Sequence, residues 1–500
     1  MRRPYSIVIP PLSRRPPEEK FLLRRGARIA QPLRLAHSAA PGATGTTSIH
    51  TEVVRGRALF APAALAVAVA VPLMLLVPAL WNGYALLQYD TGGYLARWYE
   101  GYLVPSRSTV YGLYLHLGED THFWGTLLAQ ALAVLWLTQA VLRALKLGRP
   151  AQVAAIMAAL AATTALPVLT SLLLTDIFAG LAVLATYLLV VHRARFGALE
   201  TAALVVFIAF SAATHNATLG VVAGLCATGF AARPWLRDRL SLGGLALAAL
   251  ATVLGAAMLL TANFALSGRL AWTPGGSAIA FGRMLQDGLV ARYLDDHCLQ
   301  ERLKLCPYRN ALPPTADDFL WGDSMFNRLG RFDGLGDEMA YIARRALIAY
   351  PGAQAATALR ATAQQLVMVA TGEGSHNWIA HTWGIFERYL PQELPAMRAA
   401  RQQHGAFDFT LLNRIHVPVA LASMLALVGI LAHAAWRRRI DDATLLAATA
   451  ALAILGNAFL CGALSGPHDR YGARMAWLAT FAVLSVLALA IARGKASRTP

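Results

Sequence analysis

The sequence predicts an all-α polytopic membrane protein of about ten transmembrane helices with a mostly helical extracytoplasmic domain. Three observations predict it. Of 500 residues, 57% are hydrophobic and only 14% charged, where soluble domains carry about one half and one quarter. Mean hydropathy is +0.48. Apolar runs of span length recur along the chain, and Arg and Lys cluster in alternate connections between them, as the positive-inside rule requires. That distribution also accounts for the net charge of +17. No basic groove interleaved with stacking aromatics appears, so no nucleic-acid partner is expected.

Residues 1–57 are rich in Arg, Pro and Ser, hold eleven basic and three acidic residues, and show no sustained apolar periodicity. They read as a disordered, basic cytoplasmic tail. Its length ahead of the first run reads as an uncleaved anchor rather than a secretory signal. A transmembrane module follows over 58–266. Its first span, about 58–80, leads outward into a loop at 81–122. Further spans lie at about 123–145, 151–169, 172–191, 199–213, 217–232 and 242–266, the fifth and sixth being short enough to be re-entrant. Residues 267–414 contain no convincing span and read as an extracytoplasmic domain. Within it, 351–371 suggests an amphipathic helix lying on the membrane, because Arg360, Gln364 and Gln365 interrupt its apolar face. The C-terminal spans fall at about 416–436, 443–464 and 473–492 within 415–492, before a short cytoplasmic tail at 493–500.

On this reading every Arg-rich connection is inside, and Asp90, Asp176, His215 and His468-Asp469-Arg470 share the outer face. The 81–122 loop is crowded with Tyr and Trp, rings that favour the membrane boundary. It carries Asp90 beside Gly92-Gly93, with Tyr94, Arg107 and Tyr111 after it. A carboxylate and an arginine there suit the headgroup of a lipid substrate; the alternative is an anchoring loop with solvated charges. Asp176 begins an apolar segment, where an acid is costly unless hydrated, paired or coordinating something. The alternative is a boundary aspartate capping its own helix. His215 stands at a helix junction. Cys298 and Cys306 lie close together in a polar stretch, and outside the cytoplasm they would form a disulfide rather than remain free thiols. Asp317, Asp318 and Asp323 read as solvated loop charges.

Three landmarks resemble the GT-C superfamily of multi-spanning glycosyltransferases, which use polyprenyl-phosphate sugars. Tyr89-Asp90 followed by Ser106-Arg107-Ser108-Thr109 and Tyr111 resembles the acid and Arg-Pro-Pro-like element of the family's first outer loop, with Ser108-Thr109 in place of the prolines. Thr175-Asp176 is similar to its second acidic position, and Asp469-Arg470-Tyr471 to its Arg-Tyr element before the last span. The resemblance implies Asp90 as general base in an inverting transfer, and Asp176 as an acceptor-orienting residue or, with Asp90, a ligand of Mg, Mn or Zn. It implies Arg107 and Arg470 as phosphate ligands, with Tyr94, Tyr111, His215, His468 and Tyr471 beside the substrate.

The expected partners are therefore the polyprenyl-phosphate sugar, membrane lipids and an extracytoplasmic glycan, lipid or protein acceptor. The Ala- and Arg-rich composition adds the expectation of a bacterial inner membrane, with both termini cytoplasmic and the site periplasmic. A transporter or lipid-handling protein using the same charges for binding is the rival reading, and a noncatalytic scaffold a third. Acids gathered at one interface rather than mid-span favour the enzyme.

Overall fold

The computed structural model describes residues 62–496, except 102, 104, 274, 275, 376 and 378. The expected basic tail at 1–57 and the last residues of the 493–500 tail lie outside the described residues. The described chain is helical, and its only β-type pairing is one parallel bridge between Leu86 and Leu172.

The first apolar run is not one span. It forms α1 (Pro62–Leu75) and α2 (Val77–Asn82), because Pro72 and Pro78 each lack an N–H and disturb the helical ladder around Leu76. After an extended stretch come α3 (Thr91–Glu100) and α4 (Thr109–His116), then α5 (Trp124–Ala144). The expected span at 151–169 is likewise divided, into α6 (Pro150–Thr163) and α7 (Leu166–Ser171), where Thr164 turns extended ahead of Pro167. Next are α8 (Asp176–His192), α9 (Ala198–Thr214), α10 (Asn216–Ala232) and α11 (Leu242–Ser267). Every residue of α8 except Val191 is buried. It is the axis of the bundle, touching α5, α9, α10, α11 and, from the far end of the chain, α21 (Asp442–Leu464) and α22 (Asp469–Ala496).

Among the described residues, six helices are long and apolar enough to cross a membrane: α5, α8, α11, α20 (Phe409–Arg437), α21 and α22. This supports a membrane protein. The remaining apolar runs, α1, α6, α9 and α10, have 14 to 17 residues. At 1.5 Å per residue they are about 21 to 26 Å long, below the roughly 30 Å of a hydrocarbon core.

Residues 267–414 divide between two cores. Helices α12 (Gly276–Gln286), α13 (Leu289–His297), α14 (Ala316–Leu320), α15 (Met325–Arg328) and α16 (Arg331–Ala349) surround a separate apolar cluster centred on Phe281, Phe319 and Phe326. Cys298 and Cys306 are joined by a disulfide in this subdomain. Helix α17 (Pro351–Val367) does not lie free on a surface: it packs along α21, with its Ala361 backbone against Gly462 and Gln365 bonded to the His468 carbonyl at 2.8 Å. Helices α18 (Ala380–Tyr389) and α19 (Leu394–Ala399) join the main core through Ile385, Phe386, Leu390 and Met397. Helix α18 packs beside α3, so the last part of 267–414 belongs with the 81–122 loop. The chain then runs through α20 into α21 and α22.

Candidate functional site

The 82–92 segment is clamped from both sides. On one, the Leu86 N–H donates to Ser171 C=O at 2.9 Å and the Leu173 N–H to Leu86 C=O at 3.0 Å. On the other, Gln402 holds both backbone groups of Leu87, at 2.9 and 2.6 Å. Such satisfied backbone is what an extended segment needs to stay buried. Asp90 follows it, and two glycines let neighbours close in. A Cβ on Gly92 would lie 2.7 Å from the Thr382 backbone, and one on Gly93 would lie 3.2 Å from Arg107 Nε.

Asp90 is buried and bridges two arginines. One oxygen is paired with Arg107 and the other accepts from Arg470 Nη1 at 2.6 Å. Arg470 Nε lies 3.8 Å from Asp176 Oδ2, and Arg474 Nη1 is 3.3 Å from Asp176 Oδ1. Asp90 and Asp176 are thus joined through Arg470 in one chain, Arg107–Asp90–Arg470–Asp176–Arg474. Three guanidiniums against two carboxylates leave one positive charge. Burial opposes ionisation of Asp90, but Arg107 and then Arg470 outweigh it and hold the carboxyl below its usual range. Arg107 is the accessible member, with 19% of its side chain exposed; Arg470 and the two acids are 8% or less.

Asp176 is the first helical residue of α8 and not its N-cap, which is Thr175. Its carboxylate faces the arginines instead. Tyr94 stacks edge-on to Tyr111 at 4.9 Å and lies under Arg107. Tyr471 lies under both Arg470 and Arg474, at 5.0 and 5.4 Å. His215 caps α10, its Nδ1 accepting the Ala217 N–H at 3.2 Å. His468 faces Glu373 at 2.8 Å. Both histidines are therefore engaged by neighbours other than Asp90 and Asp176.

The residues present do not fit a divalent cation held by Asp90 and Asp176. The carboxylates face guanidinium nitrogens, and among the described residues no group of three or more His, Cys, Asp or Glu converges as a metal donor set. The arrangement fits an anion better. Beside the acids, the Gln88 amide nitrogen, the Tyr111 hydroxyl and Arg470 Nε are buried without a hydrogen-bond partner. Buried polar atoms are normally satisfied, and unpaired ones mark where a ligand or water belongs.

Several members escape the sequence reading. Arg474, wholly buried, also binds Asn457 Oδ1 through Nε and Nη2 at 3.0 and 2.6 Å. Glu373 accepts the Arg470 N–H at 2.9 Å. A signal for Arg474 exists: it follows Arg470 by four residues, on the same face of an apolar helix, and Asn457 interrupts the facing one. Glu373 has no such signal. No family model, curated protein or solved structure matches this chain.

Proposed function

We propose that this chain is a GT-C-like integral membrane glycosyltransferase that takes a sugar from a polyprenyl-phosphate donor. The observation that supports it is the pairing of Asp90 with both Arg107 and Arg470 at the head of the bundle. Guanidinium forks match phosphate oxygens as well as carboxylates. Arg107, partly exposed, is the first contact for an arriving phosphate. A phosphate that takes Arg107 and Arg470 displaces Asp90 and releases it from the cations that make it a poor base.

The freed carboxylate then accepts the proton of the acceptor hydroxyl as that oxygen bonds to the anomeric carbon. The sugar–phosphate C–O bond breaks on the opposite face, and its electron pair leaves on the phosphate, stabilised by Arg470 and Arg107. Configuration at the anomeric carbon inverts. Asp176 keeps Arg470 and Arg474 in place, which makes it a positioning residue. In this reading the six long helices cross a bacterial inner membrane, the broken pairs α1–α2 and α6–α7 and the short α9 and α10 supply the remaining crossings, the termini are cytoplasmic, and the Asp90 end faces the periplasm and the acceptor.

A second reading, a lipid-handling or transport protein, is favoured by one observation: Asp90 and Asp176 are both already paired with arginines, which suits binding without chemistry. Sugar transfer by membranes carrying wild type or Asp90→Asn separates the two. Transfer from a labelled polyprenyl-phosphate donor pool by wild type, lost in the variant at equal amounts of folded protein, is the expected result. Equal transfer by both proteins removes Asp90 as base, and none by either favours the second reading.

A further inference from the structure

His468 stands between two carboxylates from separate parts of the chain. Its Nδ1 lies 2.8 Å from Glu373 Oε1 and its Nε2 lies 3.8 Å from Asp317 Oδ2. Glu373 uses its other oxygen to hold the Arg470 backbone N–H. Asp317 lies in α14, inside the disulfide-bonded subdomain at 276–349, whose apolar core is separate from that of the bundle. The His468 backbone is fixed on both sides by Gln365, which accepts its N–H at 2.9 Å and donates to its carbonyl at 2.8 Å. The imidazole is therefore presented by a held backbone.

We propose that His468 is the residue that docks this subdomain onto the arginine cluster, clamping Asp317 of α14 against Glu373, the carboxylate that fixes Arg470. Helix α12 also meets α21 and α16 meets α17, but the subdomain shares no apolar core with the bundle, so a polar bridge weighs more in its docking than a surface ion pair does elsewhere. The bridge needs the imidazolium: Nδ1 is within hydrogen-bond distance of Glu373, while the 3.8 Å contact of Nε2 with Asp317 is electrostatic and attractive only with a charged ring.

The groups facing His468 are Glu373 and Asp317, which favour its charge, and Arg470, which opposes it; the Tyr471 ring meets it edge-on at 5.4 Å, and Gln365 is neutral. The Glu373 hydrogen bond comes first, outweighs burial, and with the two acidic charges raises the imidazole above its ordinary range. A raised value in the docked form means docking is strongest below the ordinary histidine value of about 6.5. It weakens as pH rises through the raised value, by at most about tenfold per pH unit. This inference rests on the contacts alone and holds whether or not the site transfers sugar.

The test is a spin-label distance on the full chain in detergent, between Asp323→Cys on the subdomain and Gln392→Cys on the bundle side. The expected result is one short distance at about pH 5.5, with a second, longer population growing a few-fold by about pH 8.5. Asp317→Asn, at a side chain 64% exposed and so safe for folding, should show the longer population at both pH values, as should His468→Gln. A wild-type distribution that does not change with pH would overturn the proposal. So would a pH response that survives Asp317→Asn.

Discussion

Arg470 Nη1 donates to Asp90 Oδ2 at 2.6 Å across 380 residues of sequence, while its Nε faces Asp176 3.8 Å away. One guanidinium thus ties the first loop, the central helix and the last helix together. Such a residue has both a structural and an electrostatic task. Removing its charge leaves two buried carboxylates short of a partner, which typically costs about 3–5 kcal/mol. Arg470→Gln is therefore expected to lower the unfolding temperature of the detergent-solubilised protein by many degrees. Arg470→Lys should recover part of that loss, since it keeps the charge without the fork.

Gly92 predicts a steric effect. Its missing Cβ leaves room for the Thr382 backbone at 2.7 Å, so Gly92→Ala must push α18 away from α3. Overpacking of this kind costs about 1–3 kcal/mol. Gly429, inside α20 with open space where a Cβ would sit, is the control: Gly429→Ala should not lower the thermal midpoint, since alanine favours a helix interior.

Acid should weaken the fold through Asp90. Its carboxyl is held below the usual range, so its contribution is present above the ordinary carboxylate value of about 4 and is lost as pH falls through the depressed one. The unfolding temperature of wild type is expected to drop below about pH 4, and Asp90→Asn should drop less steeply in that window. Parallel curves would show that Asp90 is not the titrating group.

If the chain transfers sugar as proposed, chelation should leave that transfer unchanged. The two acids face arginines, and among the described residues no metal donor set converges around them. Transfer that disappears with a chelator and returns with Mg, Mn or Zn would require the carboxylates to leave the arginines for an ion.

Much of this architecture is legible in the sequence because apolar length is a strong signal. The runs expected at 123–145, 172–191, 242–266 and 443–464 lie where α5, α8, α11 and α21 lie. Helices α1 and α6 were harder, since a proline changes where a run breaks without changing its hydropathy. Asp90, Arg107 and Arg470 stand out as charges at the ends of apolar runs. Arg474 hides inside one, and only its pairing in space with Asn457 and Asp176 explains why it is tolerated there. The division of 267–414 between two cores was not legible, because a helix such as α18 carries no mark of which neighbour it will meet.

The most direct test is the affinity of purified protein for polyprenyl phosphate without its sugar, compared across wild type, Arg107→Ala and Asp90→Asn. If a donor phosphate takes the place of Asp90 on the arginines, Arg107→Ala binds about tenfold or more weakly, the scale of a lost charge-assisted contact. Asp90→Asn, freed of the competing carboxylate, binds more tightly than wild type although it transfers no sugar. Unchanged binding in Arg107→Ala together with weaker binding in Asp90→Asn would contradict the account.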